Sequence, residues 1–170
     1  ASRTDRVSAA NLRRDLRYQL DTGIPAKLPD FATVKKQAAT GDAKAQFLTG
    51  IHLLEGVAVV ADKAKAKEWI TKAAEAGHAD AQYYLAVRHD EGTDGGQRDD
   101  KKAVALYRKA AQQDHAAAAN NLAVKLDTGD GVKSDAEAAL ALFRQAAGLG
   151  HAPAQFNLAI RLESKDGPQA

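Results

Sequence analysis

Three of the five histidines stand at one phase of the chain. His78, His115 and His151 are separated by 37 and 36 residues, and the chain has no cysteine. Histidine ligates metals and moves protons near neutral pH, so this set is the first candidate for chemistry. A shared zinc fails on distance. Zinc holds each nitrogen at about 2.0 Å, whereas packed helices lie roughly 10 Å apart. The expected role is local: a turn side chain bonded to backbone. His52 and His89 are likewise expected to be structural. Without cysteine, thiolate metal sites and a disulfide framework drop out.

Nucleophilic and phosphate chemistry find little to stand on. The serines are Ser2, Ser8, Ser134 and Ser164, none of them inside G-x-S-x-G, the turn that exposes a catalytic serine. Neither G-x-x-x-x-G-K-[ST] nor G-x-G-x-x-G occurs. The stretch Gly92 to Gly96 lacks the preceding strand that a phosphate loop needs. Carboxylates are plentiful, but no paired acid and base can be read from a repeating polar surface. No catalytic residue, cofactor or metal is assigned.

The histidines owe their spacing to a larger repeat. KAAEAGHADAQYYLA from Lys72, KAAQQDHAAAANNLA from Lys109 and QAAGLGHAPAQFNLA from Gln145 are registered copies, and KQAATGDAKAQFLTG from Lys36 is a weaker one. Asp62, Asp99 and Asp135 recur at the same steps, each before a helix whose core position reads as Trp69, Leu106 or Leu142. Gly56, Gly92 and Gly129 close the preceding helices. One extra residue falls in the loop TDGGQRDD, where insertion costs least. Each unit therefore predicts two helices. The first spans Ala79 to Glu91 and ends at Gly92, a left-handed cap. The second starts after Asp99, a good N-cap, and ends near Gln113 and Asp114. Neither buries its apolar stripe alone, so successive pairs must stack.

This pattern resembles the Sel1-like repeat, a relative of the tetratricopeptide repeat. The resemblance rests on Ala81, Gln82, Leu85, Ala86, Gly92, Asp99, Lys102, Ala103, Leu106, Lys109, Ala110, Ala111 and His115, and covers about Val34 to Glu163. It implies an all-α solenoid of antiparallel helix pairs in a right-handed superhelix. The first copy departs from it at Thr49 and Asp42, the third at Ala119. Residues 1–40 are expected to be capping helices, 41–163 the repeats, and 164–170 a frayed tail. In the cap, Thr4 or Asp5 starts a helix carrying Val7, Leu12, Leu16 and Leu20. Gly23 and Pro25 stop it, Pro29 opens the next segment, and Phe31 to Ala39 form its partner.

Composition agrees with stacked helices. Apolar residues make up 45% of the chain and aromatics only 5%; much of the remainder is alanine, the best helix former. Net charge is +2, from 24 basic and 22 acidic residues, which gives no global nucleic-acid signature. Arg3, Arg6, Arg13, Arg14 and Arg17 cluster near the start and read as a solvated helix face, with a basic docking surface as the alternative. No run of about 18 apolar residues could span a membrane.

In tetratricopeptide-like stacks the first helix of each pair lines the inner face. Carried over, that selects Phe47, Leu48, Ile51 and Leu54; Tyr83, Tyr84, Val87 and Asp90; Asn120, Asn121, Val124 and Asp127; and Phe156, Asn157, Ile160 and Glu163. The row mixes aromatics, which enrich interface cores, with asparagines able to bond a partner's backbone. Asp90, Asp127 and Glu163 occupy equivalent positions and read as an acidic ladder for a basic segment. Replacing Tyr83 and Tyr84 by alanine is expected to weaken partner binding without unfolding the chain. The family resemblance implies a non-enzymatic protein-binding module, narrowed to an immunity protein that occludes a toxic effector enzyme such as a phospholipase. A scaffold of a bacterial envelope or secretion complex is the alternative, and a hydrolase the remote one. No small-molecule substrate or nucleic acid is expected. Many bacterial members are exported and the chain starts at Ala1 rather than methionine, so the expected compartment is the periplasm, with the cytoplasm as alternative.

Overall fold

The computed structural model describes Pro25, residues 27–93 and residues 96–166. The expected first capping helix, with Val7, Leu12, Leu16, Leu20 and the five arginines, lies outside the described residues, as does everything from Gly167. Among the described residues eight helices follow one another: α1 (Phe31–Ala39), α2 (Ala43–Glu55), α3 (Lys63–Glu75), α4 (Ala79–Glu91), α5 (Asp100–Ala111), α6 (Ala116–Thr128), α7 (Ala136–Gly148) and α8 (Ala152–Asp166). Among the described residues there is no strand. The last helix runs three residues into the segment expected to fray.

Local chemistry sets these boundaries. Asp62, Asp99 and Asp135 cap α3, α5 and α7 by accepting the amide of the third residue onward, at 3.0, 3.0 and 2.9 Å. Each satisfies one of the amides that a helix start leaves open. Gly56, Gly92 and Gly129 end α2, α4 and α6 in the left-handed region. At Gly92 a side chain has no room, because its first carbon would sit 2.7 Å from the Arg98 nitrogen. The glycine thus turns the chain straight into the loop that leads to α5.

The first helices α2, α4 and α6 each pack most extensively on the second helix that follows. The contact stripe of the second helices is small–large–small: Ala66, Ile70, Ala73; Ala103, Tyr107, Ala110; Ala139, Phe143, Ala146. Spacings of four and three place each trio on one helical face. The alanines let the backbones approach and the central residue fills the space between. This corrects the sequence expectation by one residue. Ile70, Tyr107 and Phe143 hold the core positions, whereas Trp69, Leu106 and Leu142 are only partly buried at its edge.

The signature glutamine also has a physical role. Gln82 Nε2 donates to the Ala74 carbonyl at 3.1 Å, and Gln46 makes the equivalent bond to Ala38 at 3.4 Å. Each is a second bond to a carbonyl at the end of the preceding helix, which the turn amide of Gly77 or Gly41 also reaches at 3.1 Å. In the third copy Ala119 has no amide to offer. There Gln145 of the next unit donates to the Ala111 carbonyl at 3.2 Å instead.

Candidate protein-binding surface

Two of the three repeated histidines, His78 and His115, are N-caps, as their turn position suggested. His78 Nδ1 accepts the Ala81 amide at 3.4 Å, and His115 Nδ1 accepts that of Ala118 at 3.2 Å. With Nδ1 accepting, the hydrogen of the neutral ring belongs on Nε2. Each ring also stacks on an aromatic of the preceding unit: His78 on Phe47 at 5.1 Å between centroids, and His115 on Tyr83 at 4.5 Å. One imidazole therefore starts a helix and couples two units. His52 is buried, with Nδ1 2.9 Å from the Val57 carbonyl and Nε2 2.9 Å from that of Pro29. It ties the α2–α3 loop to the segment entering α1.

His115 faces a carboxylate across a small open cleft. Its Nε2 lies 3.5 Å from Asp80 Oδ1. Burial holds the imidazole down at about 4 and pushes the carboxyl up to about 6. The two act on stability with opposite signs. Folded His115 resists protonation, so its contribution is full above about 6.5 and is lost as pH falls towards 4. Folded Asp80 favours its proton, so its contribution is full below about 3.8 and is lost as pH rises towards 6. Asp80→Asn removes the second effect. The variant should be more stable than the parent at pH 7 by about 1 kcal/mol, since the cost of ionising a carboxyl raised to about 6 is discounted for a side chain nearly a third exposed. It should also lose stability more steeply between pH 6 and 4. Urea midpoints at the two pH values check this, and parallel curves for parent and variant would refute it.

The first-helix row divides by depth. Phe47, Leu48 and Ile51 are core residues. So are Tyr83, packed against α5, and Tyr84, packed against Phe47 and Ile70. Asn120 is buried and accepts from Asn157 of α8 at 3.0 Å. Val87, Asn121 and Leu54 are partly buried, while Val124, Phe156, Ile160 and Glu163 are exposed. The tyrosine expectation therefore reverses. Alanine at Tyr83 and Tyr84 empties two core sites, so a loss of binding there would report unfolding.

The acidic ladder is likewise not open. Lys125, one unit on from Arg88, places Nζ 2.5 Å from Asp90 Oδ1 and 2.6 Å from Asp100 Oδ1. Arg161, the next residue in that register, pairs with Asp127. Cations alternate with the carboxylates, and little net negative charge is left for a basic segment. These pairs and Asn157–Asn120 bring neighbouring first helices side by side. What remains open along them is an apolar stripe at one register position: Val87 half-buried, Val124 40% and Ile160 47% exposed, with Ile51 closed at its other end. Phe156 stands beside it, 67% exposed.

Sequence reading missed two features. Lys125 looks like any surface lysine until its register with Arg161, opposite Asp90 and Asp127, is noticed. The loop over residues 57–61 is apolar where the corresponding loops are polar, and that difference is visible in the sequence alone.

The chain matches the Sel1 repeat over residues 43–78, 79–115 and 116–151. A Sel1 repeat protein from Oxalobacter formigenes is 28% identical with a TM-score of 0.74, over 76% of this chain and 97% of that one. A protective antigen present in uropathogenic Escherichia coli strains, displaying an SLR fold, is 35% identical with a TM-score of 0.64. That match covers 72% of this chain but 26% of the antigen. Helicobacter pylori cysteine rich protein B, 23% identical, shares the fold at a TM-score of 0.58 over 76% of this chain and 98% of that one. Comparison with curated proteins gave no match. With three consecutive repeats covering more than half of its length, and caps and core residues recurring at the same 36- to 37-residue period, the chain belongs to the Sel1 repeat family.

Proposed function

We propose that this chain binds another protein along its first helices and acts by occlusion, as an immunity-type inhibitor of a toxic effector enzyme such as a phospholipase. Sel1 repeats are generally protein-binding scaffolds, and stacked pairs present an extended surface suited to a polypeptide. The observation that carries the placement is the stripe of Val87, Val124 and Ile160. Folding leaves the last two open although the same register position is apolar in each unit, and a row of exposed apolar side chains marks a contact surface. The narrower inhibitor reading draws on the family resemblance.

Val124→Asp combined with Ile160→Asp should weaken partner capture by about tenfold or more while leaving the thermal midpoint close to that of the parent. Supporting the inhibitor reading requires one stoichiometric partner whose activity falls when the chain is added. Capture of several envelope components would replace it with a scaffold role. Undiminished capture by the folded double variant would remove the stripe from the binding surface.

A further inference from the structure

We propose a second docking surface on the flank of α2 and α4 opposite the first-helix stripe, formed by two consecutive grooves that take an acidic polypeptide segment anchored by apolar side chains. The first groove, about 480 Å³, is lined by Phe31, Lys35, Leu53, Val60, Lys65 and Trp69 among others. The second, about 420 Å³, includes Leu54, Lys63, Lys67, Tyr84, Leu85 and His89. Phe31 and Leu53 stand 36 residues before Lys67 and His89, so the grooves repeat along the stack. Leu85 and His89 each lie two residues from Val87. At about 100° per residue they face away from the first-helix stripe.

The loop before α3 is the first argument. Loops at this phase read VAVVA over 57–61, TDGGQR over 93–98 and DGVKS over 130–134. The fold needs only the glycine before each loop and the aspartate after it. Polar sequences meet that need twice, so folding does not require five apolar residues in the remaining copy. Val60 is nonetheless 88% exposed and Val57 41%. Large apolar side chains held in water beside a groove lined by Phe31 and Trp69 mark a contact surface.

Charge supplies the second argument. Lys63 and Lys67 are exposed, and no carboxylate among the described residues pairs with either. Asp62 is the single described carboxylate in either lining, and it is committed to capping α3 and to Lys65 at 2.8 Å. His89 is held below its ordinary value by burial first, then by the positive charges of Lys102 and Lys67. The second groove thus has an apolar floor and a positive rim, and the first supplies apolar anchorage one unit away. An acidic segment with apolar anchors satisfies both. A nucleic acid would meet the lysines but leave Val57 and Val60 without partners.

The proposal shares with the functional reading only its need for a protein partner, and its test is separate. The probe is a short fluorescein-labelled peptide, two leucines followed by a run of glutamates, titrated with the whole chain by fluorescence anisotropy. Saturable binding that weakens with salt is expected. Lys63→Glu with Lys67→Glu should reduce affinity about tenfold, and Val60→Asp by a similar factor. All three positions are solvent-exposed, so melting should follow the parent. Val124→Asp, on the other flank, should leave peptide affinity unchanged. Absence of saturable binding, equal affinity in the folded variants, or equally tight binding of a thymidine oligonucleotide would overturn the proposal.

Discussion

Lys125→Met is expected to lower stability by about 3 kcal/mol in urea unfolding at neutral pH, the lower end of the cost of breaking a buried ion pair. Lys125 is 5% exposed, and its ammonium meets both Asp90 and Asp100. Burial alone would push its proton affinity down, but the two carboxylates outweigh burial and hold it above the ordinary lysine value. Methionine fills similar volume, so packing is largely kept while the charge is lost. The two carboxylates then face each other with only Arg98 between them, 2.8 Å from Asp100 and 4.0 Å from Asp90. Each is about a quarter exposed, so water enters and Arg98 still serves Asp100. That is why the lower end of the range applies. Adding Asp90→Asn should restore most of the loss. A single variant within about 0.5 kcal/mol of the parent would show that the pair behaves like an exposed one.

That cluster marks where sequence reading stops. Boundaries were legible because their signals are local: Asp99 before α5, Gly92 after α4 and Gly129 after α6 each act within a few residues. The 36- and 37-residue steps gave the stacking order. Depth was not legible. A first helix is held between the second helix before it and the one after it, so it buries two faces. Tyr83 packs towards α5 and Tyr84 towards α3, which makes adjacent residues both core. An argument from one apolar stripe places one of them outside. Lys125 was missed for a related reason: its carboxylates come from two other helices, Asp90 on α4 and Asp100 at the start of α5. Register placed Ile51, Val87, Val124 and Ile160 in one row, but their exposure rises along the stack from 1% at Ile51 to 47% at Ile160.

The phase of the second helices gives the largest expected effect. Tyr107→Ala should cost about 3–5 kcal/mol, and Trp69→Ala about 1–2 kcal/mol. Size alone ranks them the other way, since tryptophan is larger. Burial decides. Tyr107 is 1% exposed and packs among Tyr83, Val104 and Phe143 in the largest apolar cluster. Its hydroxyl donates to Asp90 and accepts from Asn121, both at 3.2 Å, so truncation also removes two bonds from the group that holds Lys125. Trp69 sits at the rim of a smaller cluster, with Lys72 Nζ 4.8 Å from its ring centroid, and part of its face is already wet. Tyr107→Phe separates the contributions and should cost about 1 kcal/mol, the usual net worth of such bonds. Unfolding of the three variants under one set of conditions decides the phase. A larger loss for Trp69→Ala than for Tyr107→Ala would return the core of the second helices to Trp69, Leu106 and Leu142.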